Sequence, residues 1–242
     1  NLDSEELLKL INSTSFSMGY QDARHFLNGL FLQFTDNKII SVATDGHRLA
    51  YSCTHCESDT RDSSCIIPRK CVLEIRRILS SFKDFSRIIS SISINNMNLL
   101  VKIGNYTIIS KLIEGNYPDY NKVFPTGEPL PLEISKEILQ SALSRASVLS
   151  NEKYKGVRFQ LSKNKLKLTA NNPEQESAEE EVDVIYNGSE LEVGFNIGYL
   201  LDVLNSIDSE TVSFEFYGED SSCIIKEQNS EDDVYVIMPM RL

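Results

Sequence analysis

The chain has 242 residues, of which 41% are hydrophobic, so it can bury the core of one large domain or of two ordinary ones. Its net charge of −11 argues against a conventional nucleic-acid binder, because phosphate contact needs concentrated Lys and Arg. The sequence has no apolar run of about 18 residues and no secretory signal pattern, which indicates a cytoplasmic protein that makes no membrane contact.

The predicted elements follow one another as two similar repeats. Ser4–Asn12 and Ser135–Leu143 each begin with a Ser cap and continue with acidic and apolar helix formers. Gly29–Ala43 then matches Gly156–Ala170 at an offset of 127 residues, and both stretches alternate apolar and polar residues as β-hairpins do. Self-similarity of this kind predicts two copies of one structural unit.

The match continues through a second helix and further strands. Pro68–Leu79 lines up with Asn196–Ile207 at an offset of 128 residues, and Tyr106–Ile113 pairs with Val234–Arg241 at the same offset. Between these segments, the β-branched runs within Phe85–Leu112 predict a strand meander. Each repeat is therefore predicted to be α+β, with two helices packed on antiparallel sheets.

A linker separates the repeats. Prolines and glycines are concentrated between Asn116 and Pro131, a composition typical of a connecting segment. We expect the boundary near Thr126, which gives one domain over residues 1–125 and a second over residues 126–242.

The helix after Pro68 is predicted to have one apolar and one basic face. At about 100° per residue, its apolar arc holds Val72, Ile75, Ile78, Leu79 and Phe82, and the opposite arc holds Arg69, Lys70, Arg76 and Arg77 together with Leu73. The four predicted helices carry a net +2, which leaves −13 for the strands and loops. A solvated charged face is the simpler interpretation. Helices sharing one surface could instead attract duplex phosphates without reading bases.

The cysteines favour reduced thiols. They are odd in number, unlike a disulfide framework, and are Cys53, Cys56, Cys65, Cys71 and Cys223. Cys53, His55 and Cys56 could form part of a zinc site with Cys65 or Cys71. No second pair follows at zinc spacing, and the segment over residues 53–64 is rich in Ser, Asp and Thr, so we predict no metal site.

Catalytic motifs are missing from the sequence. It has no Gly-rich phosphate loop, no nucleophile elbow and no zinc-protease helix. Asp45 and His47 flank a glycine, but two residues at that spacing do not make a hydrolase triad. We therefore predict a binding protein without cofactors and not an enzyme.

Seven short segments occur in a characteristic order along the whole chain. They are Ala43-Thr-Asp-Gly-His-Arg-Leu-Ala50, Ile67-Pro-Arg-Lys70, Tyr117-Pro-Asp-Tyr120, Leu149-Ser-Asn-Glu-Lys153, Ala170-Asn-Asn-Pro-Glu-Gln175, Gly194-Phe-Asn196 and Val236-Ile-Met-Pro-Met-Arg-Leu242. Together they resemble the bacterial sliding-clamp family, the β subunit of DNA polymerase III, in its middle and last domains. The resemblance implies two tandem repeats of the DNA-clamp fold, with a further domain preceding Asn1.

The same resemblance implies a function. Members of this family are processivity factors that encircle duplex DNA as a homodimeric ring and tether the replicative polymerase, the clamp loader and repair polymerases. Because the ring contact joins first domain to last, a fragment without the first domain is expected to be monomeric. The alternative that the acidic composition favours is a protein-interaction module that does not bind DNA.

The resemblance also implies a groove between the two domains that binds short peptides carrying a Gln and one or two large apolar side chains. The matching residues are Leu27, Thr44, Gly46, His47, Arg48, Leu49, Pro118 and Val123, completed by Tyr199, Ser222, Val236, Met238, Pro239, Met240 and Arg241. Met and Leu side chains suit such an adaptable trough. Without the resemblance, the residues after Ile237 would more often be an edge strand that fills the core.

For DNA, the resemblance points to the segment from Gln21 to Phe26. Its Gln21, Arg24, His25 and Phe26 can hydrogen-bond or stack. The predicted cations of the DNA-facing helix are Arg69, Lys70, Arg76 and Arg77, and their contact with phosphates is expected to be weak enough to permit sliding.

Overall fold

The computed structural model describes residues 1–35, 37–56, 62–85, 88–95, 97–228 and 230–241. The chain divides into two compact units, one over residues 1–120 and the other over residues 121–242. The boundary predicted from the linker lies a few residues further along. None of the helices in the described part of the chain has the length and apolar character that a membrane span requires.

The first unit consists, over its described residues, of two α-helices, two short 3-10 helices (Ser15–Ser17 and His25–Asn28) and eight strands. The α-helices are α1 (Ser4–Thr14) and α2 (Arg69–Leu79). The strands are β1 (Leu2–Asp3), β2 (Gly29–Thr35), β3 (Lys38–Thr44), β4 (Arg48–His55), β5 (Ser63–Pro68), β6 (Ile89–Ile94), β7 (Asn98–Ile103) and β8 (Tyr106–Lys111). They form two antiparallel arrays in the orders β1-β6-β7-β8 and β5-β2-β3-β4.

The second unit repeats this plan with one additional short strand. Its helices are α3 (Lys136–Val148) and α4 (Ile197–Ser206). Its strands are β9 (Leu130–Ser135), β10 (Gly156–Ser162), β11 (Lys165–Asn171), β12 (Ser177–Asp183), β13 (Ile185–Tyr186), β14 (Leu191–Asn196), β15 (Thr211–Phe216), β16 (Cys223–Glu227) and β17 (Asp233–Ile237). The orders are β9-β15-β16-β17 and β14-β10-β11-β12, and β13 extends the first array beyond β9.

The strand order therefore confirms the duplication that the sequence predicts. The two central hairpins correspond as well, since Phe31 pairs with Val42 in the first unit and their counterparts at the offset of 127 residues, Arg158 and Thr169, pair in the second. Both hairpins place an Asn with positive φ before the returning strand, at 63° for Asn37 and 58° for Asn164. Asn tolerates this left-handed conformation better than most residues, which explains its presence in both turns.

Helix α2 has the two faces that the sequence predicts. Val72, Ile75, Ile78 and Leu79 are buried in the core of the first unit, whereas Lys70, Arg76 and Arg77 are exposed. Arg69 is half-buried, and Leu73 lies 42% exposed on the basic side. Burial of the apolar arc fixes the rotation of α2 about its axis and turns its cations outward.

One detail of the helix starts was predicted wrongly. The side chain of Asp3 caps α1 by accepting a hydrogen bond from the Glu5 backbone N–H at 2.7 Å. Ser4 is fully buried, and its hydroxyl bonds that of Ser90 at 2.8 Å, so it joins α1 to β6 and does not cap the helix. Ser135 precedes α3 but makes no capping hydrogen bond with its side chain.

Candidate functional site

The turn between β3 and β4 is held by its own side chains. The backbone N–H of Gly46 donates to Thr44 Oγ1 at 3.0 Å, and Asp45 Oδ1 accepts from the backbone N–H groups of His47 and Arg48 at 2.9 and 3.1 Å. Gly46 has a φ of 90°, a conformation that L side chains rarely adopt. His47 is exposed at the tip of this fixed turn.

Arg48 stabilises the turn through its contacts with Asp45 and Phe16. Its Nε donates to Asp45 Oδ2 at 3.0 Å, its Nη2 donates to the carbonyl oxygen of Phe16 at 2.8 Å, and its guanidinium lies 5.5 Å from the centre of the Phe16 ring. The charge of Arg48 is thus largely matched by Asp45. The role that these contacts support is positioning of His47, since little of the cation is left for a ligand.

Arg24 connects the segment of Gln21 to Phe26 with the same turn. Its Nη2 donates to Asp22 Oδ2 at 2.8 Å and to the carbonyl oxygen of Asp45 at 3.1 Å. The hydrogen bonds from Arg24 lower the pKa of Asp22 to about 2. A Cβ atom on Gly46 would lie 2.8 Å from Arg24 Nη2, so the glycine also permits this close approach. Arg24 was predicted to contact DNA; in the structure its guanidinium hydrogen-bonds the Asp22 carboxylate and the Asp45 carbonyl oxygen.

The other predicted groove residues of the first unit differ in exposure. Leu27 and Leu49 are almost wholly buried and can only support a surface from beneath. Thr44 is nearly buried and donates to the carbonyl oxygen of Arg48 at 2.5 Å. Pro118 is exposed. The accessible groups of this half are therefore His47, Gly46 and Pro118.

In the second unit, five of the predicted groove residues lie near the end of the chain. Val236 is fully buried in β17, whereas Met238, Pro239 and Met240 are half-buried and Arg241 is exposed. The backbone N–H of Met240 donates to the carbonyl oxygen of Gly194 at 2.9 Å, which fixes the tail against β14. The two methionines are thus held at the surface and are not sealed in the core. Leu242 lies outside the described residues.

Two further contacts order this region. Ser222 Oγ donates to the carbonyl oxygen of Val123 at 3.4 Å, and Asn196 caps α4 by accepting from the backbone N–H of Tyr199 at 3.2 Å. A cavity of about 440 Å³ lies beside the tail; its walls include Asn151, Tyr154, Arg158, Thr169, Asn171, Met240 and Arg241. Mixed apolar and carboxamide walls of this size can hold a side chain of a bound peptide.

The basic side of α2 faces an open basin of about 680 Å³. It is lined by Gly19, Tyr20, Gln21, Asn28, Arg69, Lys70, Leu73, Glu74 and Arg77. The structure thus brings Gln21 together with three of the predicted cations, whereas Arg24, His25, Phe26 and Arg76 do not line the basin. Tyr20 was missed in the sequence, because exposure of a tyrosine is decided by tertiary packing and leaves no local signal.

The cations of the basin are not equivalent. Arg77 Nη2 lies 2.6 Å from Glu74 Oε1, and this hydrogen bond lowers the pKa of Glu74. Arg69 Nη1 donates to the carbonyl oxygen of Met18 at 3.1 Å, and its guanidinium lies 5.8 Å from the centre of the Tyr20 ring. Lys70 is exposed. Arg77 is therefore partly neutralised, whereas Arg69 and Lys70 give the basin its net positive charge.

The cysteines do not form a metal centre among the residues the structure describes. No cluster of three His, Cys, Asp or Glu is found there, and the five cysteines are reduced. Burial raises the pKa of Cys65 to about 12 and also raises that of Cys71, so both remain protonated thiols with low reactivity at neutral pH.

The chain matches two family models in tandem. Residues 1–119 match the DNA polymerase III beta subunit, central domain, and residues 121–241 match the DNA polymerase III beta subunit, C-terminal domain. Beta sliding clamps from Salmonella typhimurium and Escherichia coli K12 are 44% and 42% identical over 241 residues. These alignments cover 100% of this chain and 65% of the relatives, so the chain spans 65% of their length.

Solved structures agree with these matches. The DNA polymerase III subunit beta from Pseudomonas aeruginosa superposes with a TM-score of 0.96 at 43% identity, covering 100% of this chain and 65% of that one. A sliding clamp from the same organism bound to griselimycin gives a TM-score of 0.94 at 43% identity, covering 100% and 64%.

Proposed function

This chain belongs to the bacterial β sliding clamp family, and we propose that it forms the central and C-terminal domains of a non-catalytic DNA processivity factor. In the complete protein, two copies would close around duplex DNA as a ring. The ring would tether the replicative polymerase, the clamp loader and repair polymerases to their template.

The observation that carries this proposal is the outward basic face of α2. In a chain of net charge −11, Lys70, Arg76 and Arg77 are exposed together on one helix face. Long, exposed Lys and Arg side chains attract phosphates through counterion release without reading bases. Such contacts are individually weak and salt-sensitive, as a protein that slides along DNA requires.

Retention on circular DNA tests the proposal. The full-length protein, loaded onto nicked circular DNA, should remain bound after gel filtration and should be lost once the circle is linearised, because a ring leaves only over a free end. Replacing Lys70, Arg76 and Arg77 together by Ala should reduce loading at moderate salt. Equal loss of the wild-type protein from circular and linear DNA would refute the ring.

We propose further that His47, Met238, Met240 and Arg241 bind short peptides of partner proteins. The support is that His47 is presented on a rigid turn, while both methionines are held partly exposed by the Met240–Gly194 hydrogen bond. Polarisable methionine side chains adapt to different apolar ligand groups. The remaining predicted groove residues would support these groups or line the rim.

A protein-interaction module without DNA binding is the second candidate. It is favoured by the pairing of Arg24, Arg48 and Arg77 with carboxylates, which removes cations from the surface available to phosphates. The circular-DNA experiment separates the candidates, because this module would bind partner peptides normally and would not be retained on any DNA.

A further inference from the structure

The basin beside α2 contains an exposed aromatic ring. Tyr20 is 74% exposed, and the half-buried Arg69 holds its guanidinium 5.8 Å from the ring centre. Arg69 is itself anchored by its hydrogen bond to the carbonyl oxygen of Met18. A cation held in this way over an aromatic ring restrains the ring, so Tyr20 is an ordered platform that remains open to solvent.

Apolar surface continues from this ring into the basic helix face. Leu73 is 42% exposed there, between Lys70 and Arg77 along the basin. Phosphates of a duplex require only cations and hydrogen-bond donors, so an exposed ring beside an exposed Leu is not explained by backbone contact. An apolar floor with a basic rim is instead the arrangement that binds unstacked nucleotides, whose bases need a π-face and whose phosphates need a cation.

We propose that this basin binds an unpaired base of single-stranded DNA, which stacks on Tyr20 while a neighbouring phosphate lies against Lys70. Gln21 and Asn28 line the same basin and offer amide groups to the edge of the base. Among the described residues, Glu74 is the one acidic residue lining it, and the pairing of its carboxylate with Arg77 limits its repulsion of phosphate. This inference rests on the proposed DNA-binding function and assigns that function a preference for single-stranded segments next to a duplex.

Oligonucleotide binding by variants of Tyr20 tests the inference. Fluorescence anisotropy with a labelled oligo(dT) at low salt should show about tenfold weaker binding for Tyr20→Ala, within the range that base–aromatic stacking supports. Tyr20→Phe and Tyr20→Trp should bind as the wild type does, because they keep the ring. An oligonucleotide of the same length with abasic sites should bind the wild type and Tyr20→Ala equally, since it has phosphates but no base to stack.

A matched control exists in the same unit. Tyr106 is also exposed, at 50%, and its ring centre lies 6.3 Å from that of Phe82. It does not line the basin, so Tyr106→Ala should leave oligo(dT) binding unchanged. Both tyrosines are exposed, and unchanged far-UV circular dichroism should confirm that neither substitution disturbs the fold.

The outcomes separate this inference from the proposed function. Any of three results would refute the stacking site: failure of the wild type to bind oligo(dT), binding by Tyr20→Ala as tight as that of the wild type, or equal binding of abasic and normal strands by the wild type. Retention of the full-length protein on nicked circles in those cases would leave the clamp proposal intact. Failure of retention on circles would refute the clamp, even where Tyr20 variants lose single-strand binding.

Discussion

The orientation of α2 determines which side chains reach the basin, and a pair of substitutions on this helix tests it. Ile75 is 2% exposed and points into the core of the first unit, whereas Leu73, two residues earlier, is 42% exposed on the basic side. Ile75→Ala removes three buried carbons, each contributing about 0.8 kcal/mol, and leaves a partly filled cavity. The expected loss of unfolding free energy is about 3 kcal/mol.

For Leu73→Ala we expect about 1 kcal/mol or less, because much of the side chain is already solvated and Ala is the better helix former. The chain has no Trp, so urea unfolding is best followed by far-UV circular dichroism, with the loss taken from the shift of the midpoint. Equal losses for the two variants, or a larger loss for Leu73→Ala, would mean that α2 is rotated and that its cations do not face outward as described.

Three further predictions concern the tail, the turn between β3 and β4, and the ion pair of Asp22 with Arg24. Met240→Asp should abolish binding of a Gln-Leu-x-Leu-Phe type peptide in calorimetry, because a carboxylate is costly to bury under an apolar ligand. The control variant Met97→Asp, at an exposed methionine, should bind the peptide normally. Undiminished binding by Met240→Asp would put the site elsewhere. Gly46→Ala should cost about 1 kcal/mol or more, since φ there is 90°, and unchanged urea stability would contradict that backbone strain. The pKa of Asp22 is lowered to about 2, so its pairing with Arg24 should stabilise the fold above about pH 4, the ordinary range of Asp, and this contribution should vanish as pH falls towards 2. Urea midpoints of the wild type and Asp22→Asn should therefore differ at pH 6 and converge near pH 2, and a constant difference would argue against the ion pair.

The duplicated plan was predictable from the sequence because it depends on local patterns. The alternation of apolar and polar residues in the hairpins follows the period of a strand, and the apolar arc of α2 follows the period of a helix. Because the two repeats share one pattern, assigning an element in one repeat supports the assignment of its counterpart in the other. The start of α1 was not predictable in the same way. Asp3 and Ser4 are both good caps, and only the packing of β6, which brings Ser90 to the Ser4 hydroxyl, decides between them.

The site residues show the same division between local and tertiary information. The sequence identified the cations of α2 and the residues of the turn that holds His47. It could not indicate that Arg24 and Arg48 would be engaged by Asp22 and Asp45, since partners of a flexible cation depend on the folded geometry. The structure shows both arginines holding the turn, and contact of either one with a ligand stays a prediction.

The contrast between a net charge of −11 and an exposed basic helix face has a structural explanation. In the second unit, acidic residues of β12 are paired with cations: Glu179 with Lys167, Glu180 with Arg145, and Glu181 and Asp183 with Lys165. In the first unit, α2 exposes Lys70 and Arg76 on a face whose only acidic residue, Glu74, is held by Arg77. Because exposed charges separated by more than about 8 Å are largely screened at physiological ionic strength, a phosphate beside α2 responds to this local excess and not to the sum over the chain. Raising the salt should therefore weaken DNA binding even though the whole chain carries the same sign of charge as DNA.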